Sequence, residues 1–591
     1  MTIQDLPDPP SGPAAHARPW LASYPRGVPA EVDLDVYPSL VHLLQDSCTR
    51  HARLPAFTNF GESLSYADLD RDSQAFAAWL QQVRGLPRGA RVAIMLPNLL
   101  QYPIAMFGVL RAGMVAVNVN PQYTPAELEH QIADAEASAI LVLENFAHTV
   151  QQVLERNPTW NITVLTTSVG DCLAAPHRWL VNATVKYLKH MVPDWQIDGA
   201  IDFRTALHEG RARTLDPVAL GPDDLAYLQY TGGTTGVAKG AMLTHRNLVA
   251  NVQQVAAWIS RDLHDGEETL MCPLPLYHVY ALTSMLVFLR IGSRTVLVTN
   301  PRDIPAFLDE LKHQHCTAII GVNTLYRALL DAPGFDAVDW RGLKVASAGG
   351  MAVQRVVADR WHAATGTPLI EGYGLTETSP VVISNPLGIE RWTGMIGVPV
   401  PSTEAVVMDD DGTVMPTGEV GEICVRGPQV MAGYWRRPDE TVRTITAEGW
   451  LRTGDMGVCD QAGWFRITDR KKDMIIVSGF KVFPNQIEDV IAMHPGVAEV
   501  GAVGVPDERT GEAIKVVVVR ADPTLTEEAL RAHCRAELTD YKQPRHIEFR
   551  DEPLPKTNLG KVLRRALRQP AVQPAAAAGA AANVAAASNT H

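Results

Sequence analysis

The chain has 591 residues and a formal net charge of −13, with 46% hydrophobic and 20% charged residues. That length exceeds a single core and predicts roughly three or four units, or one large domain with a satellite. The composition is that of an ordinary soluble protein, and the acidic balance argues against a general nucleic-acid binder.

The opening stretch, MTIQDLPDPPSGPAAHARPW, carries acids and prolines where a secretory leader needs a basic start and an apolar run, so secretion is not expected. From about residue 40 to 400, helical patterns such as YADLDRDSQAFAAWLQQV alternate with short β-branched runs: RVAIML, SAILVL, TVLVT and TAIIGV. The alternation predicts an α/β fold of βαβ units, with largely parallel sheets covered by helices. The most apolar stretch, NLLQYPIAMFGVLRAGMVAVNV, is interrupted by Gln101, Pro103 and Arg111. It falls short of the ~20 predominantly apolar residues of a membrane span and predicts a buried helix running into a strand. HRWLVNATVKYLKHMV, His177 to Val192, mixes basic and apolar residues at roughly helical spacing, which suits either an interfacial helix or a surface helix packed on the large domain.

Near residue 396 the texture changes to short strands with turn signals, TEAVVMDDDGTVMPTGEVGEICVRG, including Asp411-Gly412, which predicts a β-rich subdomain. After ITDRKKDMIIVSG come a strand, a helix and a strand, then AIKVVVVR and a helix opened by Thr526 with Glu527 and Glu528 in its first turn. The predicted organisation is an N-terminal extension (1–30), a large domain (31–468), a small α+β domain (469–570) and an alanine-rich tail (571–591) expected to be disordered. The seven cysteines, Cys48, Cys172, Cys272, Cys316, Cys424, Cys459 and Cys534, form no Cys-x-x-Cys pair and have no His set at zinc spacing, which fits reduced thiols in the cytosol.

The stretch richest in chemical signal is YTGGTTGVAKG, Tyr230 to Gly240, in which glycine N–H groups, threonine hydroxyls and Lys239 can converge on one anion. It is not a Walker loop, because Lys239 follows Ala238 and precedes Gly240, with no hydroxyl beside it for magnesium. EGYGLTETS, Glu371 to Ser379, begins like a dinucleotide fingerprint but has Glu377 where the last glycine belongs; Glu377 suits Mg2+ beside phosphates or an ordinary capping carboxylate. GWLRTGDMG places Asp455 between glycines, as a ribose-binding acid or a turn aspartate. ITDRKKDM is a solvated charge run or a hinge, and PKTNLGKVLRR carries Lys561 as surface decoration or as a functional cation. His278, in LPLYHVYAL, reads as a core histidine or a site residue.

The ordered set YTGGTTGVAKG, LPLYH, EGYGLTET, LRTGD, TDRKKDM, VSGFKVFPNQIE and PKTNLGK resembles the adenylate-forming superfamily, which includes acyl-CoA synthetases, luciferase and peptide-synthetase adenylation domains. The resemblance runs from about residue 20 to 569. Within that superfamily the chain is most similar to bacterial long-chain fatty-acid–CoA ligases, through stretches such as MLPNLLQYPIAMFGVLRAGMVAVNVNPQYTPAELEHQ, NPRDIPAFLDELK and GVNTLYRALL. The resemblance implies a large N-terminal domain of two sheet-based subdomains plus a β-barrel-like subdomain, and a small mobile C-terminal domain hinged at Lys472.

It also implies a two-step reaction of ATP, a long-chain fatty acid and CoA, with Mg2+ accompanying ATP. Tyr230, Thr231, Gly232, Gly233, Thr234, Thr235, Gly236 and Lys239 would surround the phosphates, with Thr231 and Glu377 at the metal and the α-phosphate. The adenine would lie against Tyr373 and the Gly349-Gly350 loop, Gly374 and Thr376 would belong to the nucleotide site, and Asp455 and Arg470 would hold the ribose. Lys561 would bridge carboxylate and α-phosphate, His278 would border the acyl site, and rotation of the small domain would then bring Gly479, Phe480 and Lys481 to the CoA tunnel. At about 0.8 kcal/mol per buried CH2, an apolar tunnel favours long acids over acetate.

The chain departs from the group at Leu282, where some members carry a tryptophan gate, at Met351-Ala352, where proline is frequent, and at Lys481, where the nearest group has asparagine. The scattered cysteines fit a cytoplasmic enzyme, peripheral contact with the inner face of the cytoplasmic membrane is a separate expectation that rests on His177 to Val192, and dimerisation is common among members of the family although no stretch here fixes an interface. Medium-chain or aryl acids, acyl transfer to a carrier, and a non-catalytic fatty-acid binding or uptake module stay open as alternatives.

Overall fold

A computed structural model describes residues 18–231, 238–557 and 560–568. The chain forms two compact units that divide between Lys471 and Lys472.

The larger unit is mixed α/β. One sheet has nine strands, in the order Val398–Pro399, Val381–Ser384, Leu369–Gly374, Val345–Ala348, Ala318–Gly321, Thr269–Cys272, Arg294–Leu297, Pro55–Asn59 and Glu62–Ser65. Its central strands are parallel and buried on both faces, which explains why they read as unbroken apolar runs such as AIIG. A second sheet has eight strands: Gly433–Tyr434, Lys239–Thr244, Leu225–Thr231, Val115–Asn118, Arg91–Met95, Ala137–Leu143, Thr163–Thr167 and Ile201–Asp202. Glu404–Met408, Gly421–Arg426, Leu451–Cys459 and Phe465–Arg470 form a separate four-stranded antiparallel sheet.

Local chemistry sets the helices. Ser65 and Asp68 form a capping box at Tyr66–Ala78, and Thr244 with Asn247 does the same at His245–Ile259. The apolar stretch before residue 120 folds as the expected buried helix, Gln101–Arg111, followed by the strand Val115–Asn118. Its one cation, Arg111, is buried and pairs with Asp70, so the charge is not left uncompensated. Gly108 lets this helix lie against Tyr66–Ala78, because a Cβ there would fall 2.6 Å from the Phe76 ring. Among the described residues, no helix is long and apolar enough to cross a membrane.

In the smaller unit, Val497–Asp507 and Gly511–Arg520 form a long antiparallel hairpin. Ile475–Val477 and Phe480–Val482 extend one side, and His546–Arg550 joins parallel to Gly511–Arg520. Helices Pro484–Ala492 and Glu527–Glu537 bury Ile487, Ile491, Leu530 and Cys534 against one face of this sheet. Thr526 caps the second helix by accepting the Ala529 N–H at 3.2 Å.

Candidate active site

Strands Leu225–Thr231 and Lys239–Thr244 are antiparallel, in a register that pairs Tyr230 with Gly240 and Thr231 with Lys239. The two strands therefore hold Thr231 and Lys239, the residues that bracket the glycine-threonine segment in sequence, opposite one another, whereas a Walker loop leads from a strand into a helix. Gly232, Gly233, Thr234, Thr235 and Gly236 lie outside the described residues. The single turn Thr376–Thr378 packs beside both strands and carries Glu377 to the hairpin.

Glu377 is held from two sides: the Tyr434 hydroxyl donates to Oε1 at 2.7 Å, and the Met431 N–H donates to its backbone carbonyl at 2.8 Å. Burial and the neighbouring Glu377 carboxylate raise the Tyr434 phenol well above its ordinary pKa, so it stays a donor. Lys239 Nζ donates to Glu440 Oε2 at 2.6 Å and lies 5.1 Å from the Tyr434 ring centroid. The hydrogen bond from Lys239 keeps the Glu440 carboxyl below the usual range. Tyr230 directs its hydroxyl to Asp134 at 2.7 Å, and its ring lies where a side chain on Gly240 would sit. Its side chain therefore braces the hairpin.

A second cluster brings together three residues far apart in sequence. Strands Leu451–Cys459 and Phe465–Arg470 pair Asp455 directly with Arg470, and Arg470 Nε reaches Asp455 Oδ1 at 2.9 Å. Tyr373, near the end of Leu369–Gly374, donates its hydroxyl to Asp455 Oδ2 at 2.7 Å. Asp455 is 4% exposed, and burial next to it pushes the Tyr373 phenol far up. One cation and one hydroxyl fix the carboxylate, and each of its oxygens keeps acceptor capacity for a further hydroxyl. Gly374 is required by close packing, since a Cβ would fall 1.7 Å from the Pro380 carbonyl oxygen. Gly349 lies between the Tyr280 ring and the Gly372 carbonyl, at 3.1 and 3.2 Å from its notional Cβ, so the Gly349-Gly350 loop touches both the Tyr373 strand and the helix that begins after His278.

The LPLYH loop is clamped by polar groups from three elements. Asn98 donates to the Cys272 and Leu274 carbonyls and accepts the Leu276 N–H. The Tyr102 hydroxyl lies 2.9 Å from the Leu276 carbonyl, and Gln229 donates to the Tyr277 carbonyl at 2.8 Å. His278 ends the loop as the cap of Val279–Arg290, its Nδ1 accepting the Tyr280 N–H at 3.3 Å. Desolvation holds its pKa down to about 4, so the imidazole is neutral near pH 7. Leu282 on this helix is fully buried.

In the smaller unit, Lys472 is the first residue after the division. Gly479 has φ +85° and opens the strand Phe480–Val482, whose exposed Phe480 ring stacks on Tyr541 with centroids 4.8 Å apart. Lys481 is exposed on the same strand. Lys561 closes a turn in which its N–H donates to Thr557 Oγ1 at 3.2 Å and its carbonyl accepts the Thr557 N–H at 2.7 Å. Arg564 anchors the segment that follows, bonding both Glu488 carboxylate oxygens and pairing with Asp473 at 3.6 Å.

The AMP-binding enzyme family matches residues 44–435, and the AMP-binding enzyme C-terminal domain matches residues 486–561. The chain belongs to the AMP-binding enzyme family. A long-chain-fatty-acid–CoA ligase of Escherichia coli O6:H1 is 54% identical over 549 residues, covering 93% of this chain and 97% of that protein. The ligase of the same name from Bacillus subtilis strain 168 is 38% identical over 559 residues, with the same coverage. Among solved structures, ATP-bound MatB from Rhodopseudomonas palustris aligns with a TM-score of 0.76 at 28% identity, covering 89% of this chain and 98% of that one.

Tyr434, Glu440 and Tyr280, which contact Glu377, Lys239 and the Gly349 position respectively, were not singled out by sequence reasoning. Tyr434 and Glu440 come from GYWRRPDE, which has neither helical period nor glycine pattern to mark it. For Mg2+, no group of three or more His, Cys, Asp or Glu residues among the described residues forms a protein cage. Glu377 and the Thr231 hydroxyl offer a sparse set of hard oxygen donors, which fits an ion that keeps its waters and takes most ligands from phosphates.

Proposed function

We propose that this AMP-binding enzyme is a long-chain-fatty-acid–CoA ligase, converting ATP, a long-chain fatty acid and CoA to acyl-CoA, AMP and pyrophosphate through an acyl-adenylate. The observation that carries the reading is 54% identity to a long-chain-fatty-acid–CoA ligase over 97% of that protein's length. A carboxylate is a poor acyl donor because oxide would have to leave, and it is repelled by the anionic triphosphate it must approach. Catalysis of its attack on the α-phosphorus is therefore mainly positioning and charge compensation.

In this reading Lys239 and the glycine-threonine segment after Thr231 hold the β- and γ-phosphates, which leave as pyrophosphate. Asp455 accepts the ribose hydroxyls while Arg470 and Tyr373 keep it fixed, and the adenine lies by Tyr373 and the Gly349-Gly350 loop. Glu377, oriented by Tyr434, and Thr231 would hold Mg2+ against the phosphates, where the ion supplies charge neutralisation. Lys561 adds a cation at the carboxylate and α-phosphate during adenylation, and Gly479 to Lys481 serve the second step, in which the CoA sulfur attacks the acyl carbonyl and AMP leaves. Neutral His278 borders the acyl chain without adding a charge to repel its apolar length.

The test is acyl-CoA formation and pyrophosphate release with palmitate, octanoate, cinnamate and acetate, using Lys561→Ala as control. Palmitoyl-CoA formed with matching pyrophosphate, and lost in the variant, is the expected result. Turnover confined to cinnamate or acetate would overturn the substrate class, and no turnover with any acid would overturn the ligase reading.

A further inference from the structure

Lys239, assigned above to the β- and γ-phosphates, already has an anion beside it: its Nζ lies 2.6 Å from Glu440 Oε2 and 5.1 Å from the Tyr434 ring centroid. The two side chains come from elements built against one another. Gly433–Tyr434 pairs antiparallel to Lys239–Thr244, with Tyr434 opposite Ala241, and the Trp435 N–H donates to the Gly240 carbonyl at 2.8 Å. The helix Pro438–Thr444 then folds back over this strand: Thr441 Oγ1 accepts the Tyr434 N–H at 2.9 Å, and a Cβ on Gly433 would fall 2.8 Å from the Thr441 methyl. Arg437, just before the helix, pairs at 3.2 Å with Asp134, the same carboxylate that takes the Tyr230 hydroxyl. Glu440 is thus carried to Lys239 on an element fixed from two sides.

An acid in the first turn of a helix is ordinary, because it faces the unpaired N–H groups there. That accounts for Asp439 and Glu440 as residue types, but not for what a carboxylate does beside a lysine that receives a polyanion. Glu440 Oε1 faces Arg443 at 3.4 Å and Oε2 faces Lys239, whose hydrogen bond keeps the carboxyl below its usual range, so it is ionised near neutral pH. An ammonium holds a phosphate oxygen at about 2.7–2.9 Å, so a phosphate oxygen on Lys239 comes within roughly 6 Å of Glu440 Oε2 while the ion pair lasts. The two anions then repel; if the pair opens instead, its attraction is lost. Either way the carboxylate weakens the hold on the phosphates.

We propose that Glu440 is a positioning residue for pyrophosphate release: its carboxylate shares Lys239 with the phosphates while ATP is bound and takes the ammonium back as pyrophosphate leaves. No covalent bond changes and no proton moves in this exchange; one ion pair replaces another. Glu440 acts through Lys239, and the inference rests on the assignment of Lys239 to the β- and γ-phosphates. The effect falls on ATP and on pyrophosphate, and it spares the acyl-adenylate, whose phosphate lies by Thr231 and Glu377 in that reading.

The experiment measures binding of ATP and of inorganic pyrophosphate, each with Mg2+, to the full chain by calorimetry, for wild type, Glu440→Gln and Lys239→Ala, with pyrophosphate inhibition of acyl-CoA formation alongside. Glutamine keeps an oxygen for Lys239 and removes the charge. Glu440→Gln should therefore bind both anions more tightly, by roughly twofold to fivefold, the range set by a part-exposed ion pair. Pyrophosphate should inhibit it at correspondingly lower concentration, and the gain should shrink at high salt. Lys239→Ala should bind both anions more weakly. A role in holding the helix alone would lower the urea midpoint and leave pyrophosphate affinity where it was, and a role in orienting Lys239 alone would leave Glu440→Gln at wild-type affinity. The proposal is overturned if Lys239→Ala weakens binding while Glu440→Gln binds pyrophosphate no more tightly than wild type, or if the gain in Glu440→Gln is indifferent to salt. If Lys239→Ala binds both anions like wild type, the phosphate assignment of Lys239 fails first and this inference falls with it.

Discussion

Replacing Asp455 by asparagine keeps the shape of the ribose-binding candidate and removes its charge. In the native structure Oδ1 receives Arg470 Nε at 2.9 Å and Oδ2 receives the Tyr373 hydroxyl at 2.7 Å, so each oxygen has one acceptor direction left. Asparagine can still accept from Arg470 through its oxygen and donate its amide to the Tyr373 oxygen, so the local bonds survive. What disappears is one acceptor and the charge that strengthens bonds from the ribose hydroxyls. A hydrogen bond to a charged group contributes about 1.5–3 kcal/mol, so KM for ATP should rise about tenfold to a hundredfold, with a smaller change in kcat. Arg470 is 38% exposed, so solvent takes over part of its stabilisation and the fold persists. The assay is pyrophosphate release against ATP and 2′-deoxy-ATP for both proteins. Wild type should discriminate strongly between the two nucleotides and Asp455→Asn weakly. An equal KM penalty for both nucleotides would refute the assignment of Asp455 to the ribose.

Tyr434→Phe removes the donor on Glu377 Oε1 while keeping the ring under Lys239, and should raise the Mg2+ concentration for half-maximal rate about tenfold, in the range typical of lost outer-shell partners; an unchanged Mg2+ titration would assign Tyr434 to packing alone. His245 is buried and held down to about pKa 4 by desolvation, whereas an unfolded histidine titrates near 6.5. The unfolded chain therefore binds the extra proton first, and stability is lost as pH falls from about 6.5 toward 4, at up to ~1.4 kcal/mol per pH unit. Urea midpoints across that range should fall less steeply in His245→Gln. Gly374→Ala sets a methyl against the Pro380 carbonyl and should cost about 1–3 kcal/mol or more in urea unfolding; a neutral effect would mean that this crossing yields freely.

The alternating core was legible from the sequence because central parallel strands are apolar on both faces, as AIIG and AILVL are. The Thr526 cap and the break at Arg111 were legible for equally local reasons. The site was legible mainly through resemblance. Nothing in the spacing of Tyr373, Asp455 and Arg470 announces that they meet; their meeting depends on a strand register and on a contact between two sheets. His278 could be read as core or site, and in the structure the loop before it is fixed by Asn98, Tyr102 and Gln229, residues whose polarity in apolar stretches was the available but unused signal. His177–Val192 showed its mixed composition in sequence, but only the structure shows Asn182 accepting the Gly170 N–H and donating to Asp171, which fixes the side of the helix His177–Ala183 that faces the fold.

The most direct test of the account is palmitate-dependent exchange of labelled pyrophosphate into ATP in the absence of CoA, with palmitoyl-AMP recovered from the protein. Carboxylate activation before the thiol enters predicts exchange that requires palmitate, needs no CoA and disappears in Lys561→Ala. Exchange that required CoA, or that ran equally well without palmitate, would contradict an acyl-adenylate mechanism for this chain.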